Sequence, residues 1–133
     1  MKLFKVLVCS PSGGIQNFVE YQLPASEFSV VAVQPGPEFV EIARREHPDI
    51  AVIDCVPHRL DAAQMEIAFL KDIRPDVRII ALSEESSVED AKIVEQGIFY
   101  YMTAPPGREL IQVIVAAARF ISERTKGRRN LKN

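Results

Sequence analysis

The sequence predicts an α/β fold, a doubly wound layer of five parallel strands with helices on both faces. Short β-branched runs alternate five times with segments of helical periodicity, and the connections between them are short. The run Ile50, Ala51, Val52 and Ile53 is apolar at every position, as a central parallel strand covered on both faces requires. Right-handed crossovers leave few other topologies. A chain of 133 residues is long enough to bury one core and too short for two.

Each element has its own signal. Leu3 to Val8 reads as the first strand, and the SPSGG that follows supplies a turn into a helix. Ile15, Phe18, Val19 and Leu23 recur at helical spacing until Pro24 stops them. FSVVAV, Phe28 to Val33, is a second strand. Pro37 sits in the first turn of the next helix, where its missing N–H costs nothing. Phe39, Val40 and Ala43 form that helix's inner face, and Pro48 ends it. After the Ile50–Ile53 strand, Met65, Ala68, Phe69 and Ile73 mark a third helix closed by Arg74-Pro75.

VRIIAL, Val77 to Leu82, is the fourth strand. Ser86 or Ser87 caps a further helix, Ser86 with Glu89 in a capping-box pattern, and Gly97 closes it. IFYYMT, Ile98 to Thr103, is the fifth strand, whose consecutive aromatics must leave at least one pointing outward. A turn at Ala104-Pro105-Pro106-Gly107 leads into a last helix from about Arg108 to about Arg124. That helix carries two apolar stripes: Leu110, Ile111, Ile114, Val115, Ala118 and Ile121, and beside them Val113, Ala116, Ala117 and Phe120. The second stripe suits either packing within the monomer or a homodimer through this helix and the fifth strand.

Composition narrows the function classes. Apolar residues make up 47%, charged residues 26%, and the net charge is −2, so the chain as a whole makes no electrostatic claim on nucleic acid. RTKGRRNLKN at the C-terminus holds five basic residues and no acid, a composition expected of a solvated tail or linker. No run reaches the ~20 apolar residues that span a bilayer, and the expected location is cytoplasmic. Cys9 and Cys55 fit no metal spacing and no disulfide framework. Were the first and third strands neighbours in the sheet, the two would come near enough for a redox pairing to be considered. His47 and His58 stand beside prolines without a metal-binding companion, as surface histidines do. SPSGG matches no phosphate-cradling glycine pattern.

Asp54 is the residue in the best place for chemistry. It ends the central strand, and in open α/β sheets ligands and reactions sit beyond the carboxyl ends of the strands. An aspartate there is also an ordinary turn former, so its neighbours decide between the two.

Those neighbours carry a resemblance. From about Lys2 to Glu123 the chain is similar to the receiver domain of bacterial two-component response regulators. PDIAVID resembles the family's third-strand motif and puts Asp54 at the phosphoacceptor position. Ser83 falls at the hydroxyl residue that holds the incoming phosphoryl group, Tyr101 at the switch aromatic of the fifth strand, and Gly97 and Pro105 match the family's ending. The resemblance implies a flavodoxin-like (βα)5 sheet in strand order 2-1-3-4-5. It also implies a domain over residues 1–124 with 125–133 as tail or linker, and partners among signalling proteins, a histidine kinase or an output protein. Membrane or direct nucleic-acid contact is not expected, and the role is not enzymatic.

The chain departs from the family at the positions that power its chemistry. The two Mg²⁺-holding acids after the first strand are replaced by Cys9 and Ser10, and the lysine before the last turn by Ala104. The loop after Asp54 is a residue short, with Pro57 arriving early. Mg²⁺ requires hard oxygen ligands, and here Asp54 and the Val56 backbone are the remaining candidates. Mg²⁺ binding is therefore expected to be weak or absent, and phosphoryl transfer to Asp54 very slow. The expectation is an atypical receiver acting through protein contacts. A rival reading takes Cys9, between a strand and a helix start, as the phosphocysteine of a phosphotransferase IIB-like protein.

Overall fold

A computed structural model describes residues 3–11, 13–55, 60–83, 93–103 and 107–131. Five strands form one parallel sheet: β1 (Phe4–Cys9), β2 (Phe28–Val33), β3 (Ile50–Asp54), β4 (Arg78–Ser83) and β5 (Tyr100–Thr103), in the order β2-β1-β3-β4-β5. Around them stand α1 (Gly13–Gln22), α2 (Pro37–Glu46), α3 (Leu60–Ile73) and a C-terminal helix α4 (Arg108–Leu131). The expected helix beginning at Ser86 or Ser87 lies outside the described residues apart from its end. There Gly97 adopts φ 77° and its N–H reaches the Val94 carbonyl, the left-handed stop that a glycine permits. Lys71 of α3 donates to the carbonyls of Gln96 and Gly97, the latter at 2.7 Å, tying this turn to α3.

Alternation along the strands sends side chains to two cores. Val6, Val8, Ile50, Val52, Ile80 and Leu82 face α1 and α4, where Val19, Leu23, Leu110 and Ile114 meet them. Leu7, Cys9, Ala51, Ile53, Ile79 and Ala81 face α2 and α3, against Phe39, Ala43, Ile67 and Leu70. Strands buried on both faces need apolar residues at every position, and Ile50 to Ile53 are all fully buried.

Three helix faces differ from expectation. In α3 the buried row is Ala63, Glu66, Ile67 and Leu70, whereas Met65 is 74% exposed and Ala68 is exposed. Apolar residues surround this helix, so several stripes fit a 3.6 period, and the acid at 66 points the wrong way for a simple hydropathy reading. In α2, Val40 is turned outward while Phe39 and Ala43 are buried. In α4 the inward row is Leu110, Val113, Ile114, Ala117 and Ala118, so of the second stripe, which suited either internal packing or a partner, Val113 and Ala117 are packed inside the chain. α4 also runs to Leu131, beyond the expected end near Arg124, through a proline-free segment rich in residues that tolerate helix.

Candidate functional site

The carboxyl ends of β1, β3 and β4 converge, and the register fixes what they present. Cys9 pairs with Ile53, and Asp54 with Leu82. Ser10, one step past β1, is thereby delivered beside Asp54, and both follow the parity of the α1 and α4 face. The Ser10 hydroxyl donates to Asp54 Oδ2 at 2.9 Å. Asp54 is half-buried and Ser10 buried. The carboxylate thus stands at the rim of the sheet, outside the core.

Ser83 and Tyr101 follow the opposite parity. Ser83 ends β4 and is 2% exposed. It pairs with Thr103, and Ala81 with Tyr101, so Ser83 and Tyr101 share the α2 and α3 face, two residues apart in register. Tyr101 packs partly buried against that core. Its neighbour Tyr100 is the aromatic that turns outward, donating its hydroxyl to Glu109 Oε1 of α4 at 2.7 Å. That hydrogen bond to a carboxylate raises the Tyr100 pKa above its ordinary value. Ala104 and Val56, the remaining candidate positions, lie outside the described residues, as do Pro57 and His58. His47 is exposed at the C-terminus of α2, far from Asp54 along the strand.

Cys9 brings in a residue that the sequence pattern concealed. Its side chain is fully buried and its Sγ–H donates to Glu66 Oε2 of α3 at 3.6 Å. Glu66 is itself buried. The signal that could have found it is position: Glu66 lies on the row through Ala63 and Leu70, a buried face only if something opposite accepts a carboxylate. Cys55 belongs to the same core and donates to the Ile53 carbonyl at 3.6 Å. Two residues out of register on adjacent strands, the cysteines are separated by about 8 Å between Cα atoms, more than the ~7 Å a disulfide spans. Neither is in a disulfide. Among the described residues no group of three or more His, Cys, Asp or Glu gathers to hold a metal ion, and no helix is long and apolar enough to cross a membrane.

At this sheet end a half-buried carboxylate closes the middle strand and takes a hydrogen bond from the hydroxyl that follows β1. No family model matches the chain. Curated relatives include the transcriptional regulatory protein GlrR of Escherichia coli, 24% identical over 80% of this chain and 24% of that protein. The alkaline phosphatase synthesis transcriptional regulatory protein PhoP of Bacillus subtilis is 28% identical over 76% of this chain and 42% of that protein. The chain thus spans only a quarter to under a half of the length of these relatives.

Among solved structures, a response regulator from Thermotoga maritima superposes with a TM-score of 0.76 at 19% identity, covering 87% of this chain and 98% of that one. A response regulator protein from Burkholderia pseudomallei, described with a phosphorylated aspartic acid, a calcium ion and citrate, gives 0.71 at 22% identity, covering 97% and 74%. The chain has the fold of these receiver-domain structures, and its curated relatives are named as transcriptional regulatory proteins.

Proposed function

We propose that this chain is an atypical receiver domain in two-component (phosphorelay) signal transduction, one that works by contact with other signalling proteins rather than by phosphorylation-driven switching at Asp54. The observation that carries this reading is the Ser10 hydroxyl on Asp54 Oδ2, at a position where the resemblance calls for a metal-holding acid. A hydroxyl that spends its proton on the acceptor carboxylate brings no negative charge for a cation. Cys9, at the other acid position, supplies a thiol turned into the core toward Glu66, a soft group on the wrong side for Mg²⁺.

These residues do not suit the ion. Charge developing on a transferring phosphoryl group would lack stabilisation worth several kcal/mol, and Ala104 offers no cation in place of the family's lysine. Ser83 and Tyr101 are proposed to keep their positions as packing residues of the β4–β5 edge. On this reading the domain needs no cofactor, is not an enzyme, and meets a kinase or output protein in the cytoplasm.

The test is incubation of the protein with acetyl phosphate and Mg²⁺, followed by intact-mass measurement. The expected result is no stoichiometric gain. A gain of one phosphoryl group that Asp54→Asn abolishes would overturn the proposal. The phosphocysteine alternative is decided by alkylation of the native protein: Cys9 is fully buried, so iodoacetamide is expected to label it only after unfolding. Rapid labelling of Cys9 in the folded chain would restore that alternative.

A further inference from the structure

A groove of about 730 Å³ runs between α1 and α4, on the sheet face away from α2 and α3. Its floor is apolar, with Phe18 from α1 and Ile111, Val115 and Phe120 from α4. Ile111 and Val115 are one helical turn apart, so they form a ridge with a trough beside it. Phe120 is 49% exposed. The charged residues among the described lining are Arg108 and Arg119, both exposed, and no described residue of the lining is acidic. Glu109 of α4 is engaged by Tyr100 on the β5 side.

Eleven residues separate the two arginines along α4, about 16 Å or three turns. In a chain of net charge −2, the described charges framing the groove are thus both basic. That frame selects the occupant. A second copy bound about a two-fold axis would bring the same patch against itself and gather four guanidinium groups, and like charges across an interface cost several kcal/mol.

We infer that the α1–α4 groove is a docking site for an amphipathic helix of another protein, with an apolar ridge for the floor and acidic residues about three turns apart for Arg108 and Arg119. Helix-in-groove recognition has this form, apolar anchors giving affinity and charged flanks giving register. The inference rests on the reading of the chain as an interaction module and names the chemistry of its partner.

The experiment uses a displayed library of 18-residue helices with leucine fixed at i, i+4, i+7 and i+11 and flanking positions varied among Glu, Lys and Gln. Selected peptides are then measured by fluorescence anisotropy. Enrichment of Glu at flanks about eleven residues apart is expected, with at least tenfold weaker binding to the Arg108→Glu/Arg119→Glu protein. Lys-flanked versions of the same peptides should bind that protein instead. Val115→Glu, at a half-exposed position, should abolish both, with thermal melts confirming that each variant is folded.

The inference fails if no helix is selected, if Lys and Glu flanks are recovered equally, or if the arginine reversal leaves affinity unchanged. It fails equally if the protein alone doubles in mass with concentration and Val115→Glu prevents it, which would make a second copy the occupant. Uptake of phosphate by Asp54 would overturn the proposed function and leave the peptide result standing, so the two failures are distinguishable.

Discussion

Two aspartates at opposite ends of one strand are treated in opposite ways. Asp49, just before β3, is buried and fully engaged: Arg74 Nη1 reaches Oδ1 at 2.7 Å and the Lys5 backbone N–H donates to Oδ2 at 2.8 Å. Arg74 also donates to the His47 carbonyl at 2.9 Å, where α2 stops in a left-handed turn at φ 46°. Beside it Lys5 Nζ meets Glu46 at 2.8 Å. At the other end, Asp54 is half-buried and β1 offers it a neutral hydroxyl. Charge compensation ties down the amino edge of the sheet, where a buried carboxylate that lost its partner would cost several kcal/mol, and at the carboxyl edge a hydroxyl meets a half-buried carboxylate.

The largest expected effect tests the amino edge. Asp49→Asn takes from the Arg74 guanidinium its buried carboxylate, leaving it the more exposed Asp76 at 3.2 Å, and is expected to cost about 3 kcal/mol, the low end for a broken buried pair because Arg74 keeps 24% of its side-chain surface. Urea unfolding at neutral pH reads this, and Asp54→Asn in the same assay should cost less than about 1 kcal/mol. Equal losses would erase the contrast. Next in size, Ser10→Asp puts two carboxylates in reach of each other and is expected to cost about 2 kcal/mol in metal-free buffer. Millimolar Mg²⁺ should restore the loss for that variant and leave the wild-type melting temperature unmoved, by linkage of binding to folding.

A smaller loss, about 1 kcal/mol, is expected for Ser10→Ala, which removes the hydroxyl from Asp54. The smallest effect is on pH dependence. The hydrogen bond from Lys5 holds the Glu46 carboxyl below its ordinary range, against the opposing pull of desolvation and with further help from the charges of Lys5 and Arg45. A carboxyl with its folded pKa lowered stabilises above the ordinary glutamate range and loses that contribution as pH falls through the folded value. Melting temperatures from pH 6 to pH 3 should therefore fall less steeply in Lys5→Met than in the wild type.

The strands were legible in the sequence because a two-sided parallel sheet writes itself as short runs of apolar residues. β2 begins and ends where FSVVAV does, and β1 and β4 are displaced by one residue. Helix faces were less legible. α3 and α4 are apolar over more than one stripe, so the choice between Met65 and Ile67, or between Val113 and Val115, depends on the angle at which each helix meets the sheet. Asp54 was legible as a position because it ends a strand, and Ser10 because the resemblance aligns it with an acid of the family. Their hydrogen bond was not, because it requires β1 and β3 to be adjacent and in a particular register. Glu66 was hidden for the same reason: a carboxylate on a buried row makes sense only once Cys9 is seen opposite.

The sequence by itself determined the alternation of strands and helices, the central strand and the acid at its end, because local patterns of size, branching and polarity act over a few residues. Tertiary structure alone decided which hydroxyl meets that acid, which aromatic faces outward to Glu109, and which side of α4 remains open beside α1. Those outcomes belong to contacts between residues dozens apart in the chain, and only the packing of one element against another sets them.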